Sequence, residues 1–143
     1  AILLFLAERF PDSTLGFDDL PSKAQSLSWL SFLSSGIAEK LWSVLHEAHI
    51  HEGDEFRPTM LAKEHAELER ELDILDKHLA RRAFLAGDYS VADTFATPVL
   101  DLLEYIKDLE LDAYPHICSW RERLRARPSY KEAWPYEDDP IIK

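Results

Sequence analysis

Apolar residues in this chain return at helical spacing almost everywhere, and no run alternates apolar with polar in the manner of a half-buried strand. The clearest stretch places Leu61, His65, Leu68, Leu72, Leu75 and Leu79 three or four residues apart. That spacing predicts a long helix from about Pro58 to Ala83 that packs antiparallel in a bundle. Its other face, with Lys63, Glu64, Glu67, Glu71 and Lys77, reads as charged and solvated. A second long helix is expected from about Ser22 to Ile50. Leu27, Leu30, Ile37, Leu41, Val44 and Ala48 form its stripe, which Trp29, Phe32, Leu33, Trp42 and Leu45 widen enough to suggest burial on two sides. Further helices are expected over 90–107 and 113–126, with a turn around 129–134. The fold class that follows is all-α, a helical bundle.

Composition narrows the function classes. A chain of 143 residues is the size of one domain, and 46% hydrophobic with 30% charged residues is a globular balance. Sixteen basic against 27 acidic residues give a net charge of -11, which argues against nucleic acid and anionic membrane as partners. No apolar run approaches the ~20 residues needed to span a bilayer. Gly16, Gly36, Gly53 and Gly87 are too far apart to form a phosphate-cradling loop. Cys118 is the single cysteine, which excludes an internal disulfide framework and points to a reduced, cytoplasmic setting.

Several local signals carry more information. Ser90-Val-Ala-Asp93 reads as a capping box: Ser90 is the N-cap and Asp93 reaches back to its N–H. A structural role explains Asp93 better than a general-base role. A Tyr89–Thr94 staple would be weak, because Thr offers only a methyl group. Ser22 and Gln25 suggest a second box, and Pro98 should kink the helix that contains it. His46, His49 and His51 crowd one helix end, but no His-Glu-x-x-His pattern accompanies them, so helix-dipole and solvent roles outweigh metal binding. Arg121, Arg123, Arg125 and Arg127 are expected to pair with the protein's own carboxylates and complement a helix C-terminus. Cys118, between Ile117 and Trp120, reads as an inert core thiol.

Phe84-Leu-Ala-Gly-Asp-Tyr-Ser-Val-Ala-Asp93, Pro98, Tyr114-Pro115, Trp120-Arg121 and Arg127-Pro128-Ser129 occur in that order. In order and spacing they resemble the C-terminal helical domain of cytosolic glutathione transferases. Residues 1–10, Ala-Ile-Leu-Leu-Phe-Leu-Ala-Glu-Arg-Phe, resemble the closing helix of that family's thioredoxin-like domain, and 11–22 its interdomain linker, leaving 23–143 as the helical domain. The resemblance and the lack of a starting Met imply a fragment. The glutathione-activating Tyr, Ser or Cys and most glutathione contacts would precede Ala1, so no catalytic residue, metal or cofactor of its own is expected in this chain.

What the resemblance assigns to this half is the wall for the second substrate, a small apolar electrophile. Ser35, Ala38 and Trp42 are the candidates, with Ser31 beside them; ordinary core packing is the rival reading of Trp42. Beta-class members tend to carry a glutathione-contacting His on this helix where our alignment has Ala38, so the subclass stays open. The intact protein is expected to be a cytoplasmic homodimer that uses glutathione as co-substrate, with a role in detoxification. Rival readings are a non-catalytic interaction domain of the same fold, a glutathione-dependent dehalogenase, isomerase or disulfide reductase, and a metal-binding bundle built on the histidines.

Overall fold

The structure, a computed structural model, describes residues 1–13, 15–50, 57–106 and 109–133; side chains are described within these except at 47–50 and 57. The order is α1 (Ile2–Arg9), α2 (Leu20–Phe32), a π-helical segment (Leu33–Ala38), α3 (Glu39–Ile50), α4 (Arg57–Leu79), α5 (Val91–Asp101), a 3₁₀ turn (Leu102–Tyr105), another (Leu111–Ala113), α6 (Pro115–Arg125) and α7 (Pro128–Ala133). Among the described residues there is no strand beyond isolated bridges within 84–88. The expected all-α bundle is therefore the observed one.

One core runs through it. Leu33, Ile37, Leu41 and Val44 meet Leu68, Leu72, Leu75 and Leu79 of α4, with Ala92, Ala96 and Leu100 of α5 and Ile117, Trp120 and Leu124 of α6 closing the cluster. Helix α5 is the most enclosed: Val91, Ala92, Asp93, Ala96, Val99 and Leu100 are all buried. Its small residues let α2 and α6 approach closely. Pro98 cannot donate to the carbonyl four residues back, and the α-helix ends at Asp101 in a tighter 3₁₀ turn rather than running to residue 107.

Other expectations are corrected. The cap of the long helix is Asp19, not Ser22. Asp19 Oδ1 accepts from the Ser22 N–H at 2.7 Å, and Ser22 Oγ lies 3.3 Å from the Asp19 N–H it accepts from. Pro21 falls in the first turn, where a missing N–H costs nothing, so the helix starts three residues early. The helix is also not regular: between α2 and α3 it widens into the π segment. Glu64, Glu67 and Glu71 are half-buried, not solvated, because α3 packs alongside them. Lys40 reaches Glu67 at 3.3 Å, and a Cβ on Gly36 would stand 3.4 Å from Glu71 Oε2. Gly16 is required by a close approach, since a Cβ there would stand 2.1 Å from the Pro11 carbonyl oxygen.

Candidate functional site

Two regions carry the residues singled out in the sequence, and they differ in kind. The first surrounds the start of α5. Ser90 Oγ accepts from the Ala92 N–H at 3.3 Å, and Asp93 Oδ2 accepts from the Ser90 N–H at 3.0 Å and the Ser90 hydroxyl at 2.9 Å. Oδ1 takes two more donors, the Leu85 N–H at 3.1 Å and the Trp120 indole N–H at 3.0 Å. Asp93 is fully buried, so one carboxylate ties the 81–89 loop, the start of α5 and the middle of α6 together. Burial pushes its pKa above the ordinary value, against the pull of the donors from Leu85, Ser90 and Trp120. With all four donors turned inward, the carboxylate has no path to a substrate.

The same loop is held from below. Gly87 adopts φ 103°, a left-handed conformation that L side chains rarely take. His78 Nε2 lies 2.8 Å from the Leu85 carbonyl oxygen, and its ring rests 4.0 Å from Trp29. Burial lowers the His78 pKa, and the nearby Arg82 charge adds to that; the Leu85 carbonyl and Asp93 act in the opposite direction. Instead of a methyl staple, Thr94 Oγ1 donates to Tyr89 Oη at 2.9 Å.

The second region is the outer face of α2, the π segment and α3. Ser31 and Ser35 are exposed, Ala38 is half-buried and Trp42 is 64% exposed. This is not the two-sided burial that the wide apolar stripe suggested, nor is Trp42 core. Ser35 Oγ donates to the Ser31 carbonyl at 2.8 Å and Ser34 Oγ to the same carbonyl at 3.1 Å, so both hydroxyls are engaged by their own helix. Of the four candidates, Trp42 alone presents a large apolar side chain to solvent. A hollow of about 470 Å³ lies elsewhere, between α5, α6 and α7, where the Arg127 guanidinium stacks 3.4 Å from the Tyr89 ring centroid and Tyr130 Oη donates to Asp101 at 3.0 Å.

The arginines are accounted for individually. Arg121 pairs with Glu104 at 2.5 Å and Arg125 with Asp101 at 2.6 Å, a cross-linked set of two guanidiniums and two carboxylates. Burial would raise the Glu104 pKa, but the hydrogen bond and charge of Arg121, with Arg125, hold it below the ordinary value. Arg123 Nε donates to the Ala83 carbonyl at 3.1 Å. Cys118 is partly buried, with its thiol 3.3 Å from the Leu111 carbonyl oxygen and its pKa raised by burial. The sequence reading missed Asp76, whose Oδ1 accepts from the His116 and Ile117 N–H groups and so caps α6 from another helix 40 residues away. Of the histidine cluster, His46 is exposed, while the His49 side chain and His51 lie outside the described residues. Among the described residues no group of three His, Cys, Asp or Glu side chains is placed to hold a metal ion. No helix there is long and apolar enough to cross a membrane.

Comparison with known proteins agrees with this architecture. The family "Glutathione S-transferase, C-terminal domain" matches residues 34–128. The disulfide-bond oxidoreductase YfcG of Escherichia coli K12 is 28% identical over 93% of this chain and 60% of its own length. The disulfide-bond oxidoreductase YghU of the same organism is 32% identical over 92% of this chain and 46% of its own. The chain thus spans about half to three-fifths of these relatives. The structure of Ure2p in complex with glutathione superposes with a TM-score of 0.83 at 24% identity, over 93% of this chain and 66% of that one, which bears on the fold. By the match over 34–128, the chain belongs to the glutathione S-transferase C-terminal domain family.

Proposed function

We propose that this chain is the substrate-side domain of a glutathione transferase and that its outer α2–α3 face forms part of the wall against which a small apolar electrophile rests. The observation that carries the reading is Trp42. A large indole left 64% exposed, along the same stretch as Ser31, Ser35 and Ala38 on a helix widened by a π segment, offers apolar area to a ligand. π segments inside α-helices occur frequently at functional sites. In the longer protein, a hydrogen bond from residues outside this chain lowers the glutathione thiol pKa, and the thiolate attacks the electrophile. The present domain orients that second substrate and excludes water. Glutathione is the co-substrate, no cofactor is held by this domain, the setting is cytoplasmic, the use detoxification, and the remaining long-helix surface joins two copies.

A second reading, glutathione-dependent disulfide reduction, draws on YfcG and YghU, both named disulfide-bond oxidoreductases. The full-length protein separates the two. Turnover of an aromatic chloride with glutathione supports conjugation. Turnover of a mixed disulfide with none of the chloride supports reduction. The 143-residue chain by itself is expected to catalyse neither, and measurable turnover by it would overturn the assignment of the chemistry to residues outside it.

A further inference from the structure

Helix α6 sorts its arginines. Arg121 and Arg125 turn to Asp101 and Glu104, whereas Arg123 turns the other way, toward the end of α4. There, Arg82, His116, Ser119 and Arg123 surround a hollow of about 370 Å³ completed by Leu79, Ala80 and Ala83. Its lining includes no carboxylate, in a chain whose net charge is -11. Among the described residues, neither Arg82 nor Arg123 forms an ion pair.

The local backbone favours the same conclusion. His116, Ser119 and Arg123 follow at i, i+3 and i+7, on one face of α6. Arg123 is aimed by its Nε bond to the Ala83 carbonyl, which leaves its terminal nitrogens free to donate. Asp76, the nearby acid, is held by the His116 and Ile117 N–H groups. The negative end of α4 is blunted, since the Asp76 and Leu79 carbonyls accept from the Ala80 and Arg82 N–H groups. What remains is a concave set of two guanidiniums, an imidazole and a hydroxyl.

We propose that this hollow binds the phosphoryl group of a small phosphate monoester, on the face of α6 opposite its ion-pair network. Guanidinium forks match the oxygen geometry of a phosphoryl group, and two of them with a hydroxyl supply more donors than a carboxylate can use. The hollow falls within the usual size of small-molecule sites, so a phosphate monoester fills it better than the bare ion.

The test is titration of the chain with phenyl phosphate, inorganic phosphate and benzoate at matched ionic strength, followed by NMR of the arginine Nε–H and histidine ring signals. Phenyl phosphate is expected to saturate the Arg82, Arg123 and His116 signals, with inorganic phosphate binding the same residues more weakly and benzoate weakest. Arg82→Gln should weaken phenyl phosphate at least tenfold, while Arg81→Gln changes it less than twofold. Among the described residues the Arg82 side chain forms no hydrogen bond or ion pair, so Arg82→Gln is expected to fold as the wild type does; Arg123→Gln is then compared at equal thermal midpoint. Equal binding of benzoate, non-saturating shifts, or unchanged affinity in Arg82→Gln would each overturn the proposal.

Discussion

The buried start of α5 and the open face of α2–α3 are opposite solutions within one helical domain. At α5 a single carboxylate with no exposure satisfies four donors from three segments, so its surroundings are fixed. On the α2–α3 face the Ser34 and Ser35 hydroxyls bond their own helix and the Trp42 indole is left to solvent. Buried polar groups are costly unless every partner is met, and the first region meets them. An exposed indole costs little for folding and gives area to a ligand. The first region thus accounts for stability; on the function proposed above the second serves recognition, and the two should then respond to mutation in opposite ways.

The largest effect is expected at Asp93. Asp93→Ala leaves the Leu85 and Ser90 N–H groups and the Trp120 indole N–H buried without partners, while Ser90 Oγ still accepts from the Ala92 N–H as the α5 cap. Each orphaned donor costs about 1–3 kcal/mol, so the urea midpoint should fall by the equivalent of about 3 kcal/mol or more. Substrate affinity of any folded full-length variant should be spared. Activity lost at unchanged stability would contradict the structural role.

Trp120→Phe is next. It removes one of the four donors and part of a fully buried ring, for about 2 kcal/mol, measured by the same unfolding. A loss no larger than that of a surface substitution would show that the indole bond adds nothing.

A smaller effect is tied to pH. The folded-state pKa of His78 lies below its ordinary value of 6.5, so the unfolded chain takes up the proton first. Stability associated with neutral His78 is present above the unfolded value and is lost as pH falls through it toward the folded one. Unfolding midpoints compared at pH 7.5 and 5.5 should show a fall that is smaller in His78→Gln; an identical fall in the variant would place the titration elsewhere.

The smallest effect on stability is expected at Trp42. Trp42→Ala should change unfolding free energy by no more than about 0.5 kcal/mol, as for other exposed positions. A loss of 2 kcal/mol or more would place Trp42 in the core after all.

The contrast between the regions also explains what was legible in the sequence. The Ser90–Asp93 box is local, three residues apart, and the residue types alone declare it. The donors from Leu85 and Trp120 are 8 and 27 residues from Asp93 in the chain, and only the packing of α6 on α5 brings them in. Asp19 and Ser22 both suit an N-cap, and the choice turned on Pro21 being tolerated in a first turn. The π segment leaves no mark on the apolar spacing, because Leu33, Ile37, Leu41 and Val44 suit a regular helix equally well. Trp42 could not be placed from the stripe, since a widened stripe reads the same whether a second element covers it or not.

The central division of labour is tested most directly by one kinetic measurement: the KM of the full-length protein for an aromatic electrophile, wild type against Trp42→Ala, at saturating glutathione. A several-fold rise in KM with an unchanged unfolding midpoint is the predicted result. An unchanged KM would contradict the assignment of this face to the second substrate.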